Sequence, residues 1–249
     1  MKGYHNFTLR ISDGPADFAR AYAQAKKWDP AFEAYSKVMG LEPGNRNMLL
    51  HQDLGEALAQ SALAHPGRWK AAEDAFERAW SIEPNADWIV IRIMRCYLAL
   101  NDATSYRPLC ERLIAQAAKD PNLDSVNRAV WLAVLLPDPL SSYDEAKKCA
   151  KKLVDGKKVD PAFFRTYGAV LYRARQETSA LRQLEQAIEA QNKTGSAFDW
   201  VFLAMARHRL RQPGDREALA RAKALARAAS YDWTLRADID HLLEEARVE

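Results

Sequence analysis

No stretch of this sequence is apolar for long enough to cross a bilayer; the longest strongly apolar run, Ala129 to Pro137, stops well short of the roughly 18 residues a spanning helix needs. Cysteine is scarce. Cys96, Cys110 and Cys149 form an odd set with no C-x-x-C pair, which argues against a disulfide framework and against a zinc ribbon. A charge excess of either sign is also missing: 36 Lys and Arg face 33 Asp and Glu, a formal +3, too balanced for the whole molecule to be a nucleic-acid or membrane binder. The opening residues MKGYHNFTLRISDG contain no apolar core of a secretory signal. A reduced, cytoplasmic setting is the expectation, and in it the N-x-T sequons at Asn6 and Asn192 carry no weight.

Catalytic signatures are missing too. No motif for cradling phosphate, binding a dinucleotide, holding a catalytic zinc or presenting a nucleophilic serine occurs, and His5, His51, His65, His208 and His241 are scattered. The sequence predicts no enzyme, no cofactor and no metal. Asp238, Asp240, Glu244 and Glu245 near the C-terminus are expected to be the solvated face of a last helix.

What is present is a repeat. The segments WDPA (Trp28 to Ala31), WKAA (Trp69 to Ala72) and YDEA (Tyr143 to Ala146) each place an aromatic residue three positions before an alanine, and Tyr106, Ala180 and Ala218 extend the register. Successive members are 41, 34, 40, 34 and 38 residues apart, with turn-forming clusters such as HPGR, PDPLSS and QPGD where the spacing exceeds 34. After each marker, apolar residues recur at i, i+4 and i+7: Ala31, Tyr35 and Val38; Ala72, Phe76 and Ala79; Ala180, Leu184 and Ala187. Pro43, Pro84, Pro121 and Pro161 then break the pattern, since proline cannot continue a helix. Gly168 stands inside the helical stretch YGAVLYRAR, where glycine costs about 1 kcal/mol relative to alanine. A second helix crossing very close would explain it, and Gly55 repeats the arrangement.

These residues resemble the tetratricopeptide repeat family, whose 34-residue helix–turn–helix favours small, large and small residues at the places taken by Ala19, Tyr22 and Ala31, or by Gly168, Leu171 and Ala180. The later stretches also resemble the repeat tails of some bacterial serine/threonine kinases and WD40-type signalling proteins. The resemblance implies an all-α, right-handed superhelical solenoid of about six hairpins: residues 12–45, 46–85, 86–121, 122–161, 162–195 and 196–229. Residues 1–11 would be an N-terminal extension, extended where Phe7, Leu9 and Ile11 alternate, and 230–249 a polar capping helix over the last repeat.

The resemblance further implies a non-catalytic scaffold or adaptor that holds a partner peptide or protein in the concave groove, as a regulatory module of a larger signalling system. The groove-facing repeat positions fall on Arg20, Gln24, Gln52, Glu56, Arg95, Arg165, Tyr172, Arg173, Met205, His208 and Arg209. Their guanidinium groups suit partner carboxylates, and solvation of an exposed face is the alternative. The paired Lys and Asn of a chaperone-tail clamp are not reproduced. A second candidate surface is the basic patch Arg207, Arg211, Arg216, Lys223 and Arg227, suited to an acidic protein segment or nucleic acid with salt-dependent affinity, or serving solubility alone.

Overall fold

The computed structural model describes residues 15–41, 47–156 and 159–248. Pro43 and the alternating segment around Phe7 lie outside them. The described residues form α-helices with no strand among them. In chain order they are α1 (Pro15–Gln24), α2 (Trp28–Leu41), α3 (Met48–Ala62), α4 (Trp69–Ile82), α5 (Asp87–Ala99), α6 (Ala103–Ala117), α7 (Leu123–Leu135), α8 (Asp144–Val154), α9 (Pro161–Arg173), α10 (Glu177–Glu189), α11 (Ala197–Arg209), α12 (Asp215–Ala228) and α13 (Trp233–Val248). The chain divides into two compact units, 1–96 and 97–249.

Within each unit, neighbouring helices pair as hairpins because their facing residues are small. In the first unit α1 packs on α2 and α3 on α4; in the second, α9 packs on α10 and α11 on α12. The repeat markers Ala31, Ala72, Tyr106, Ala146 and Ala180 are completely buried, and Ala218 is nearly so. Gly168 answers the question its position raised. A Cβ there would stand 2.7 Å from Leu184 Cγ, and one at Gly55 would stand 2.7 Å from Phe76 Cε1, so the crossing helix leaves no room for a side chain.

Five helix starts, those of α3, α6, α7, α9 and α11, are fixed by side-chain caps. Asn47, Asp102, Asn122 and Asp160 accept from the N–H of Leu50, Ser105, Ser125 and Ala162, and Ser196 and Asp199 form a reciprocal capping box. Four of the hairpin turns share one device. Lys26, Asn101, Arg175 and Arg211, each two residues past a first helix, take left-handed backbone with φ of 56, 56, 59 and 52°. The next residue's N–H then reaches the carbonyl five positions back: Lys27 to Tyr22, Asp102 to Tyr97, Gln176 to Leu171 and Gln212 to Arg207, at 2.8–2.9 Å.

Two elements depart from a simple stack. Every residue of α7 from Ala129 to Leu135 is buried, so α7 is covered on all sides. Helices α6, α8 and α9 pack on it, and α13, which packs against α11 and α12, also reaches back to α7. The expectation of a solvated last helix is corrected here. Asp238 is completely buried, as are Ile239 and Leu242, and Glu245 is almost so; only Asp240 and Glu244 face solvent, paired with Arg236 and Arg247.

Candidate functional site: an aromatic and arginine face holding the C-terminal helix

First helices α7, α9 and α11 of the second unit present Trp131, Arg165, Tyr172, Arg173, Phe198, Phe202 and Arg209 to one another. The Trp131 ring meets Phe198 edge-on at 5.4 Å between centroids and Phe202 at 5.9 Å, and Tyr172 meets Phe202 at 5.9 Å. Guanidinium groups lie over these rings: Arg165 over Trp131 (5.0 Å) and Phe198 (5.6 Å), Arg173 over Phe202 (5.7 Å), and Arg209 over Tyr172 (3.9 Å). The face combines flat apolar area with concentrated positive charge.

Helix α13 supplies the complement. Trp131 Nε1 donates to Asp238 Oδ2 at 3.1 Å, and Arg173 donates through Nη1 and Nη2 to the two oxygens of Glu245, the second at 2.7 Å. Arg173 has a further task, because its Nε donates to the Val134 carbonyl at 2.8 Å and Nη2 lies 3.4 Å from that of Leu135. These carbonyls belong to the last turn of α7, which has no partners within its own helix and carries the negative end of the helix dipole. Arg209 Nη1 reaches the Tyr172 carbonyl at the end of α9 in the same way, at 3.4 Å.

Charge in this site is governed by burial. Burial alone would lower the Arg173 pKa, but the hydrogen bond to Glu245 and its charge outweigh it and hold the group above its ordinary value. For Arg165 burial wins and the pKa is lowered, with Asp199, Asp160 and Asp238 opposing the shift from nearby. Arg165 Nε is buried and makes no hydrogen bond, and Nη1 has only a 3.4 Å contact with Ser196 Oγ. Burial also lowers His241, which sits between Glu245, Asp238 and Arg173.

The expected groove residues therefore divide. Tyr172, Arg173, Met205 and Arg95 are buried, with exposures of 0, 3, 2 and 8 %, which corrects their assignment to an open groove. The reason for Tyr172 and Arg173 is the helix laid over them and the orphan carbonyls that bind the arginine. Arg165 and Arg209 are partly covered in the same face. His208 is exposed and bonded to Asp215 at 3.0 Å, a contact that lowers the Asp215 pKa. In the first unit, Arg20, Gln52 and Glu56 are half-buried and Gln24 is exposed. There Arg20 Nε donates to Asp53 at 3.1 Å, joining α1 to α3, and Arg92 Nε donates to Glu56, joining α3 to α5.

Arginines of the basic patch are partly engaged. Arg207 lies 3.5 Å from Glu185, while Arg211, Arg216 and Arg227 are exposed and Lys223 is half-buried. Its neighbour Arg221 stacks on Trp200 at 4.3 Å and donates to the carbonyl of Lys193. Among the described residues, Glu73, Asp74 and Glu77 bring carboxylates together in the geometry of a possible cation site, but Lys70 is already bonded to the first two.

Sequence reasoning missed Trp131, Phe198, Phe202, Asp238 and Glu245 as members of one face. The signal was the all-round apolar run AVWLAVLL, too hydrophobic for a helix with one side in water.

This geometry is that of an all-α repeat solenoid built from two-helix units. A tetratricopeptide repeat family model matches residues 63–127, and the chain carries tetratricopeptide repeats. Among solved structures the chain is similar to PilW, a widely conserved type IV pilus biogenesis factor, with 14% identity, a TM-score of 0.55 and coverage of 95% of this chain and 100% of that one. It is also similar to a tetratricopeptide repeat protein from Parabacteroides merdae, with 15% identity, a TM-score of 0.50 and coverage of 94% and 97%. At these identities the likeness concerns the fold. No curated protein matches the sequence, and no helix among the described residues is long and apolar enough to cross a membrane.

Proposed function

We propose that this protein is a non-catalytic protein-interaction scaffold whose first helices receive a segment of a partner protein. The observation that carries this reading is α13 itself: a face made by three first helices already holds an amphipathic helix through two acid contacts and an aliphatic stripe. A surface that recognises a helix in its own chain has the chemistry to recognise one in another chain. In the first unit the corresponding surface carries Arg20, Gln24, Gln52 and Glu56, all at least partly accessible, and we assign the open part of the recognition surface to it.

Affinity capture from the native lysate tests the reading, comparing wild-type protein with an Arg20→Glu, Gln24→Ala, Gln52→Ala variant whose helicity and melting temperature match wild type. The expected outcome is one or more proteins retained by wild type and lost by the variant. Identical retention by both would remove the first-unit face as a recognition surface.

A further inference from the structure

We propose that α13 is a displaceable internal ligand, and that the face beneath it takes a partner helix with carboxylates at i and i+7 flanking an aliphatic stripe. This rests on the scaffold reading above and names the partner class for the second unit.

Three observations converge. The first is charge complementarity. Two acids of α13, Asp238 and Glu245, are seven residues apart, hence on one side of the helix about 10.5 Å apart along its axis, with Ile239 and Leu242 buried between them. They meet Trp131 Nε1 and the Arg173 fork, so the pattern that fits the face can be read directly from the helix that occupies it.

The second is that the fit is incomplete. The face carries two arginines on α9, Arg165 and Arg173, eight residues apart and so about 12 Å apart along its axis. Glu245 serves Arg173. Asp238 is committed to Trp131, and Arg165 Nε is left buried with no hydrogen bond. A buried donor without an acceptor is a standing cost of the internal complex. A partner helix that also offered Arg165 a carboxylate would remove that cost and bind in preference to α13.

The third is the way α13 is attached. It follows α12 after the short segment 229–232 and, among the described residues, is not one of a pair forming a two-helix hairpin. Leu235 on its first turn is 39 % exposed, and α13 packs on α11 more than on α12 or α7. An occupant tethered in the same chain competes at high effective concentration, so an external helix must bind better or α13 must be weakened for exchange to be visible.

The test uses the full chain and a fluorescein-labelled synthetic peptide of residues 233–249 as probe, with an Asp238→Asn, Glu245→Gln peptide as control. Wild-type protein is compared with the full chain carrying the same two substitutions, which keep the shape of α13 and remove its two charges. The variant is expected to bind the probe at least tenfold more tightly than wild type, with affinity falling as salt rises and the control peptide failing to bind. Hydrogen exchange on the wild-type chain is the second measurement: amides of residues 236–246 are expected to exchange well before those of α9 and α11.

Equal binding of the probe to both chains would overturn the proposal. So would α13 amides that exchange only together with α9 and α11, a measurement that decides the matter even if the variant does not fold. A variant that forms a concentration-dependent dimer instead of binding the probe would assign the face to a second copy and overturn the partner reading. None of these failures touches the first-unit capture experiment, so the two readings fall separately.

Discussion

Arg173 and Glu245, 72 residues apart in sequence, form a two-pronged ion pair in which the Arg173 side chain is 2 % exposed, and the same guanidinium donates to the last carbonyls of α7. The pair therefore links three helices of the second unit. Removing one partner leaves the other charged and buried, which typically costs about 3–5 kcal/mol. We expect Glu245→Ala to destabilise by about that much in urea unfolding, and Arg173→Met with Glu245→Leu to recover a large part of the loss. A cycle showing simple additivity would mean that the pair is not coupled.

Two glycines should respond to alanine with opposite signs. Gly40 lies in α2 with no atom within 4 Å of a built Cβ, so Gly40→Ala should stabilise by roughly 0.5–1 kcal/mol through helix propensity. At Gly168 the same gain is overridden by the 2.7 Å approach of Leu184, and overpacking of about 1–3 kcal/mol should prevail. Thermal melts of the two variants check this directly. Combining Gly168→Ala with Leu184→Ala should cost less than the sum of the single effects.

Protonation of His241 should loosen the second unit. Burial holds its folded pKa below the ordinary value near 6.5, with Glu245 and Asp238 opposing and Arg173 reinforcing the shift. In the unfolded chain the group binds its proton first as pH falls, so this contribution is complete above about pH 6.5 and is lost on going down towards the folded pKa. Urea midpoints measured from pH 7.5 to 5.5 should fall for wild type and stay flatter for His241→Gln. Parallel curves would assign the acid sensitivity to other groups.

The three thiols should be inert in the folded protein. Cys96, Cys110 and Cys149 are fully buried, and burial raises the pKa of each. A buried neutral thiol is a poor nucleophile. We expect an aromatic disulfide reagent at pH 8 to titrate almost none of them natively and all three in denaturant; rapid native reaction of any one would show local opening of its helix.

Sequence by itself determined the hairpins. Ala31, Ala72, Ala180 and Ala218 mark places where one helix must come close to the next, and Gly55 and Gly168 mark the closest approaches, because small residues are the only ones that fit and their spacing is local. The turns were less legible. The left-handed positions fall on Lys26, Asn101, Arg175 and Arg211 with no glycine among them, so they carry no compositional signal.

Only the tertiary structure decided what lies on the inner face of the second unit. Arg173 and Glu245 are each ordinary surface residues by type, and nothing in a local window says that a helix more than a hundred residues beyond Trp131 returns to place Asp238 against it. Local spacing sets which side of a helix is buried. The partner of that side is set by the path of the whole chain and by the competition for its buried charges.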